Sequence, residues 1–228
     1  MLEMRKMMQP HSGRFILQSL DKSVVLVKLL SPLLNLFLKP IIYICSIKCK
    51  RAIIGFTIKE ECMVPEWVND IVLNDGHKYM EVHDNKWLQW CLDNKFHGED
   101  GNVNRFYSVF RQGEPMGFFM IKERVVLNEQ RSYSPLLYGT VVEWGTKDDS
   151  VLSEIMLDKM AVCQFSKQVD VIRVATDNDK TSKQLSKLLF RQHGNSYIAF
   201  KDLKKVYSDA SNPSLWRLRF GYADSIFN

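Results

Sequence analysis

The sequence predicts an α+β fold in which helices flank one mixed, mostly antiparallel β-sheet, preceded by a helical N-terminal extension. Three observations predict it. Residues 106–198 show patterns in the order strand, strand, strand, helix, strand, helix, strand. The connections within the first three strands favour antiparallel pairing of neighbours. The 228 residues are 46% hydrophobic and 25% charged, values typical of a globular chain with a sizeable core.

Three strand-like runs begin this region. Residues 106–111 and 116–122 lie on either side of residues 112–115, whose glycine and proline suit a tight reversal. Residues 136–144 form the third run, which is rich in β-branched and aromatic side chains. These patterns predict an antiparallel hairpin joined to a third strand.

Helices and strands alternate after the third strand. Residues 146–150 predict the cap of a helix over residues 151–167, and residues 169–176 predict the next strand. An Asp-Asn-Asp sequence then predicts the start of a second helix, and Gly194 is placed to close it. Two further strands are predicted at residues 197–200 and 216–222.

The elements before the hairpin are shorter. Residues 53–58 form an apolar run that predicts a strand or an extended connection, and residues 65–73 have a helical pattern. A further helix is predicted to begin with Asp84 as its N-cap, because apolar residues recur after it at intervals of three and four. The polar residues 94–104 predict a loop.

The N-terminal quarter differs from the rest of the chain in composition. The first 22 residues show little periodicity, which predicts a mobile or partly helical lead-in. The apolar run that follows is divided by Lys28 and Lys39, and Pro32 and Pro40 predict a kink or an end to a helix. The sequence thus predicts two parts: a basic, leucine-rich helical extension over residues 1–55 and a main domain over residues 56–228.

The apolar run admits two roles. A membrane span needs about 20 consecutive, mostly apolar residues, and the longest uncharged piece here is shorter, which disfavours a span. The run then predicts either a helix that packs on the main domain, or a helix that binds a membrane surface or a protein partner through residues 23–51. A cytoplasmic protein, peripheral to a membrane in the second case, is expected.

Charge and cysteine content exclude several classes of function. Residues 1–55 carry nine Lys or Arg against two acids, whereas residues 56–228 carry 22 against 24, so the main domain lacks the basic surface of a nucleic-acid-binding protein. The five cysteines form no CxxC pair and have no nearby histidine cluster, which predicts neither a metal site nor a disulfide framework. A reducing compartment fits this cysteine content.

The order of elements from residue 106 to Gly194 resembles the GNAT N-acetyltransferase superfamily. With Asp84, Trp87, Leu88 and Trp90 before the hairpin, the chain is also similar to the C-terminal half of two-domain, GNAT-like bacterial proteins associated with polysaccharide or cell-envelope genes. The resemblance covers about residues 78–228. It implies an acyl-CoA-dependent N-acyltransferase, with acetyl-CoA or another acyl-CoA as cofactor and a small amine, such as an amino sugar or an envelope precursor, as acceptor.

The resemblance implies a cofactor site where two neighbouring strands separate, with the CoA diphosphate at the start of the following helix. The matching residues in this chain are Trp144, Gly145, Thr146, Lys147 and Ser150. A glycine-rich loop is absent, and Asp148 and Asp149 oppose a diphosphate by charge while being good capping residues. A plain capped helix is therefore the alternative interpretation.

The catalytic residues implied by the resemblance are Glu143, as a general base from the strand, and Tyr138, as a weaker candidate. A carboxylate partly buried in an apolar run has a raised pKa, although strand alternation also allows Glu143 a solvated position. Where many relatives have a tyrosine that protonates the departing thiolate, this chain has Phe190, which cannot donate a proton. The alternative is an inactive, GNAT-like scaffold domain that docks a partner domain or subunit.

Overall fold

One seven-stranded mixed sheet organises the protein. The computed structural model describes residues 2–80, 82–93, 102–126, 134–198, 207–210, 212 and 215–218. The strand order across the sheet is β2-β3-β4-β5-β6-β1-β7. The strands are β1 (Leu2–Pro10), β2 (Thr57–Glu61), β3 (Val103–Arg111), β4 (Glu114–Val126), β5 (Leu136–Thr146), β6 (Val171–Thr176) and β7 (Arg191–Ile198). Among these strands only β5 and β6 pair in parallel.

Helices cover both faces of the sheet. They are α1 (Gly13–Ser19), α2 (Val24–Ala52), α3 (Val68–Leu73), α4 (Asn85–Asp93), α5 (Glu154–Gln164) and α6 (Asp179–Ser186). The larger hydrophobic core joins one face of the sheet to α5, α6 and the C-terminal part of α2. The smaller core joins the other face to α3 and α4. This arrangement confirms the α+β fold class that the sequence predicts.

The predicted hairpin is present as β3 and β4. The two strands are joined by Gln112 and Gly113, which have φ values of 52° and 86°. Two successive positive φ values are typical of the two-residue turn that matches the twist of an antiparallel pair, and Gly113 adopts its value without steric cost. The predicted N-cap of α4 is confirmed as well, since the Asp84 carboxylate accepts a hydrogen bond from the Trp87 amide at 2.8 Å.

The prediction of a mobile or partly helical lead-in over the first 22 residues is confirmed for the helix Gly13–Ser19 and corrected for the residues before it. Leu2–Pro10 is a strand inside the sheet, antiparallel to both β6 and β7. Its pairing with β7 shifts register between Arg5 and Met7, so that Met4 and Met7, three residues apart, are both buried. Because such a shift breaks the two-residue alternation of a strand, the sequence pattern conceals it. The sheet crosses the predicted boundary after residue 55, and the division into two domains stays a prediction.

The predicted end of a helix at Pro32 or Pro40 is also corrected. Helix α2 is one helix of 29 residues with Pro32 and Pro40 inside it. By length and composition it is apolar enough to cross a membrane, with a mean hydropathy of 1.8 over its most apolar 18 residues, of which 11% are buried. The N-terminal extension is therefore helical from Gly13 onward, apart from the short connection between α1 and α2.

The C-terminal elements differ from the prediction in their bounds. Helix α6 ends at Ser186, and β7 already begins at Arg191, so Gly194 lies in a strand with φ of 110° and does not close a helix. The chain reverses earlier because Leu189 adopts φ of 67° and the Phe190 amide bonds back to the Leu185 carbonyl. In the predicted strand 216–222, Trp216 forms an isolated parallel bridge with Tyr79, and residues 219–222 lie outside the described residues.

Candidate functional site

The two parallel strands at the centre of the sheet separate after a short paired stretch. Strands β5 and β6 pair only from Tyr138 to Thr140 and from Val171 to Arg173, although β5 continues to Thr146 and β6 to Thr176. Just beyond the paired stretch, β4 shifts register against β5 between Met120 and Ile121, which leaves Val142 as an extra residue in β5. Since such a bulge bends its strand, it accounts for the divergence of β5 from β6.

A cavity of about 890 Å³ lies at the open end of the two strands. This volume is within the range of ligand-binding pockets. Trp144 of β5 forms part of its wall, and the first turn of α5 (Ser153, Glu154 and Ile155) forms another part. The start of α6 and the segment around Arg217 line it as well. The structure thus places one cleft between the diverging strands and the N-terminus of the helix that follows β5.

The first turn of α5 presents backbone donors at this cleft. Ser153 is its N-cap residue, and the Ser153 side chain forms no capping hydrogen bond. The leading N–H groups of an α-helix have no intrahelical partner, and the helix dipole is positive at this end. This turn therefore has the chemistry to accept an anionic group.

The loop before α5 is closed by its own hydrogen bonds. The Asp148 amide donates to Thr146 Oγ1 at 3.2 Å, and the Ser150 amide and hydroxyl donate to Asp148 Oδ1 at 2.8 and 2.6 Å. The bonds from Ser150 lower the pKa of the Asp148 carboxyl. The amides of Val151 and Leu152 donate to the Asp148 carbonyl. This loop is the capped structure that the sequence offers as the alternative to a phosphate loop.

Of the five residues predicted to bind the cofactor, Trp144 lines the cavity. Gly145 faces the opposite side, where a Cβ atom would lie 2.4 Å from the Phe118 ring, so glycine is needed there for packing. The Lys147 amide donates to the Met116 carbonyl at 2.8 Å. Thr146 and Ser150 are engaged with Asp148. The structure therefore does not bring residues 145–150 together as a diphosphate cradle.

Charges of both signs surround the cavity. Its acids are Glu3, Asp149, Glu154, Asp177 and Asp179, and its cations are Arg5, Lys180 and Arg217. Arg5 contacts Asp179 at 2.5 Å, and Arg217 contacts Asp149 at 3.3 Å and Asp75 at 2.8 Å. The Arg217 guanidinium also lies 4.6 Å from the centre of the Trp144 ring. The carboxylates of the lining therefore suit a cationic group, while its cations and the first turn of α5 suit an anionic one.

Glu154 is the titratable group that sequence analysis missed. Enclosure of its carboxylate raises the pKa to about 7, against the opposing effect of hydrogen bonds from Thr181 and Thr176. The Thr181 hydroxyl donates to Glu154 Oε2 at 2.8 Å. A carboxyl group with a pKa near neutrality, at the wall of a cavity, has the properties of a general acid or base. The signal in the sequence was an acid directly after a serine at the helix start.

Asp158 lies one turn further along α5 and is fully buried. Burial, and then repulsion by Glu154, raise the pKa of Asp158 well above its usual value. Neither carboxylate oxygen of Asp158 has a hydrogen-bond partner within the described part of the chain. Asp158 and Glu154 therefore form a pair of acids that resist ionisation together.

Glu143 lies in a different environment from the one expected. It is fully buried, so a solvated position is wrong, and it is not among the residues that line the cavity. Its Oε2 is 2.5 Å from His83 Nδ1, and its Oε1 accepts a hydrogen bond from the Trp144 amide at 3.1 Å. The His83 ring stacks on Trp87 of α4 at 3.6 Å with an interplanar angle of 4°. The assignment of Glu143 as a catalytic base stays a prediction.

Tyr138 and Phe190 both lie away from the cavity lining. Tyr138 is at the paired end of β5, with its ring against Phe15 and under the Arg173 guanidinium at 5.0 Å. Burial raises the pKa of its hydroxyl. At about 3.3 Å per residue, Tyr138 is roughly 16 Å from Glu143 along the strand. Phe190 is a buried core residue, as its apolar ring predicts.

Comparisons with known proteins give similarity to solved structures alone. No protein-family model and no curated protein matches the chain. A GCN5-related N-acetyltransferase from Anabaena variabilis superposes with a TM-score of 0.47 and 8% identity, covering 86% of this chain and 39% of that chain. N-myristoyltransferase of Saccharomyces cerevisiae with bound myristoyl-CoA gives a TM-score of 0.47 and 13% identity, covering 83% and 45%.

A conserved protein of unknown function from Staphylococcus epidermidis gives a TM-score of 0.43 and 5% identity, covering 85% of this chain and 58% of that chain. This chain thus spans about two fifths to three fifths of the length of these three proteins. At such identities and TM-scores the likeness concerns the fold alone. The mixed sheet, flanking helices and N-terminal helix are consistent with a GNAT-like α+β fold.

Proposed function

We propose that this chain is an acyl-CoA-dependent N-acyltransferase that works in the cleft between β5 and β6. The observation that carries the proposal is the divergence of these strands at the Val142 bulge, with the N-terminus of α5 opening on the resulting cavity. The cavity has the volume of a ligand pocket and lies where two strands of a mixed sheet leave a crevice.

The fit of acyl-CoA to the cleft is partial. Residues 145–150 do not fit its diphosphate, because their donors are used within the loop and Gly145 faces the core. The first turn of α5 fits better, since Ser153, Glu154 and Ile155 line the cavity at the positive end of the helix dipole. Lys180 and Arg5 would add positive charge. When bound, the cofactor supplies an acyl thioester as the group to be transferred.

The side chains of the cleft favour an amine as the acceptor. Asp149, Asp177 and Asp179 are carboxylates at its wall and attract a protonated amine. Glu154, with its pKa near 7, accepts the proton that the amine must lose before it becomes a nucleophile. A small polar amine, such as an amino sugar or an envelope precursor, suits a cavity whose wall is largely charged.

Titration with acetyl-CoA, followed by thermal unfolding and by thiol release with a panel of amines, tests the proposal. Ligand at 100 times its dissociation constant stabilises a protein by about 2.7 kcal/mol, which raises the melting temperature of a chain of this size by roughly 5 to 10 °C. Desulfo-CoA and longer acyl-CoA forms serve as further ligands. No rise with any of them contradicts the proposal.

The second candidate is an inactive scaffold domain with the same fold. The closed loop at 146–152 and the ion pairs of Arg217 across the cavity mouth favour it, because both stabilise the cleft without a ligand. A scaffold of this kind gives no thermal shift with any acyl-CoA and releases no thiol with any amine. It still binds its partner domain or subunit, which the acyltransferase proposal does not require.

A further inference from the structure

Helix α2 has a narrow buried side and a wide apolar side that faces away from the protein. Its buried residues are Val27, Ser31, Cys45 and Cys49, which fall on one line along the helix. The large apolar side chains on its exposed side are Val25, Leu26, Leu29, Leu30, Leu33, Leu36, Phe37, Ile41, Tyr43 and Ile44, with exposures of 39–73%. An apolar surface of this extent marks a site of interaction.

The folded body holds α2 at both ends of its length. In the first half, a Cβ atom on Gly13 would lie 2.7 Å from the Ser31 carbonyl, so α1 and α2 touch through their backbones. The Gly13 amide also donates to Asn35 Oδ1 at 2.7 Å. In the second half, Cys45 and Cys49 are buried in the larger hydrophobic core together with Met160 of α5. Helix α2 therefore lies along the surface of the domain. Its exposed apolar residues form one face on the outside of the protein.

The charge of α2 has one sign. Its 29 residues include five basic residues and no acid. Lys28, Lys39 and Lys50 are 11 residues apart, a spacing that returns to nearly the same side of an α-helix. All three are exposed. They form a basic row beside the apolar side, as in helices that lie at the surface of an anionic membrane.

The basic row continues into a cavity. Asn35 and Lys39 of α2 line a space of about 510 Å³ together with Arg14, Lys167 and Asp170. Arg14 holds Asp170 through two hydrogen bonds of 2.9 Å, so Lys39 and Lys167 contribute positive charge beyond that pair. Burial lowers the pKa of His11, also in this lining, to about 4, which keeps it neutral. The cavity suits an anionic group next to an apolar surface.

We propose that α2 docks this protein on an anionic lipid bilayer, lying in the plane of the membrane. The apolar side of α2 enters the boundary between headgroups and acyl chains, while Lys28, Lys39 and Lys50 lie at the level of the lipid phosphates. The cavity at Lys39 and Lys167 receives an anionic headgroup at the edge of the docked surface. A transmembrane orientation conflicts with the contacts of α2 to α1 and α5.

Sedimentation of the full chain with vesicles tests this proposal. We expect binding to phosphatidylcholine vesicles that contain about one third phosphatidylserine, and much weaker binding to phosphatidylcholine alone. Binding falls with added salt, and alkaline carbonate releases the protein from the pelleted vesicles. Resistance to carbonate overturns the in-plane orientation. Equal binding to both vesicle types overturns the role of the basic row in docking. The absence of binding to both vesicle types overturns the whole proposal.

Two sets of variants separate the apolar and basic contributions. Leu29→Ser with Leu33→Ser and Leu36→Ser is expected to abolish vesicle binding without changing the melting temperature, because these side chains are exposed. Its matched control replaces the exposed apolar residues Ile54, Met63 and Leu73 with serine and is expected to bind normally. Equal losses in the two triple variants contradict a specific role of α2.

The charge variant replaces Lys28, Lys39 and Lys50 with glutamine. A lysine near an anionic surface contributes a factor of about five to partition, so this variant is expected to bind roughly 100-fold less well. Its matched control replaces the exposed lysines Lys86, Lys183 and Lys187, which lie outside both α2 and the cavity, and is expected to bind normally. A different result would be that the unaltered chain binds no vesicles and forms a dimer that the leucine variant dissociates. In that case a second copy of the chain, and not a bilayer, covers the apolar side of α2.

Discussion

Two carboxyl groups near the point where β5 diverges, the fully buried Glu143 and the half-buried Glu154, differ in what surrounds them. Glu143 is sealed between His83 and the Trp144 amide, on the side that α4 covers. Glu154 is enclosed near Thr181, but it belongs to the wall of the cavity. The comparison teaches that burial alone does not make a carboxylate available for chemistry. Contact with a space that a ligand can enter is also required.

The largest expected effect is that of Glu154→Gln on turnover. Because a positioned general base contributes about 10²- to 10⁴-fold, we expect the acyl transfer rate to fall by at least roughly 100-fold while the fold remains intact. Steady-state kinetics with the best amine of the panel measures this. Glu3→Gln, which removes another carboxylate from the same cavity, is the control and should retain most of the rate. A fully active Glu154→Gln enzyme removes Glu154 from the mechanism.

Glu143→Ala is expected to act on stability. Removing one partner of a buried hydrogen bond typically costs about 1 to 3 kcal/mol for each bond lost, and here the His83 Nδ1 and the Trp144 amide both lose their carboxylate. Urea unfolding measures the loss, and Glu143→Gln, which keeps the shape, should lose less. A stable Glu143→Gln protein without turnover would instead support the catalytic role predicted from the sequence.

The pH dependence of stability is expected to reflect Glu154. Its pKa is raised from 4.5 to about 7 in the folded state, so the folded protein binds more protons than the unfolded chain between these values. Stability therefore falls as pH rises through this window, by about 3 kcal/mol. Glu154→Gln lacks this penalty and should be more stable than the unaltered protein at pH 8, but not below about pH 4.5. The opposite sign in urea unfolding at the two pH values contradicts this account.

The smallest effect is expected for Asp158→Asn. The neutral side chain removes a buried carboxyl group whose pKa is raised, so stability at neutral pH should increase by about 1 to 2 kcal/mol. Differential scanning calorimetry at pH 5 and pH 8 measures it, and the gain should be larger at pH 8. A loss of stability at both pH values would show that the carboxyl group has a structural role.

Local patterns predicted the elements whose partners are near in sequence. The hairpin of β3 and β4 and the cap at Asp84 follow from turn and capping residues within a few positions. The position of β1 could not be predicted from local patterns. Its register shift hides the alternation of buried and exposed side chains, and its partners β6 and β7 lie more than 150 residues away in the sequence. The environment of Glu143 depends on His83, 60 residues earlier, and a single sequence does not reveal that pairing.

The cleft itself was predicted more accurately than its residues. The resemblance placed it between the fourth and fifth strands of the main domain, where β5 and β6 diverge. The start of the helix was predicted three residues too early, at residue 151 rather than Glu154. The cofactor-binding role was accordingly assigned to residues before the helix, among them Thr146 and Ser150, which the structure uses to close a loop with Asp148, and Glu154 was left unrecognised.

The position of β1 between β6 and β7 has a consequence for synthesis of the protein. Residues 2–10 leave the ribosome before either of their partner strands, the nearer of which begins about 160 residues later, at Val171. At about 5 to 20 residues per second, this segment waits roughly 8 to 30 seconds for a neighbour. During that interval its backbone is open to other chains, so conditions that slow elongation should favour aggregation of the nascent protein.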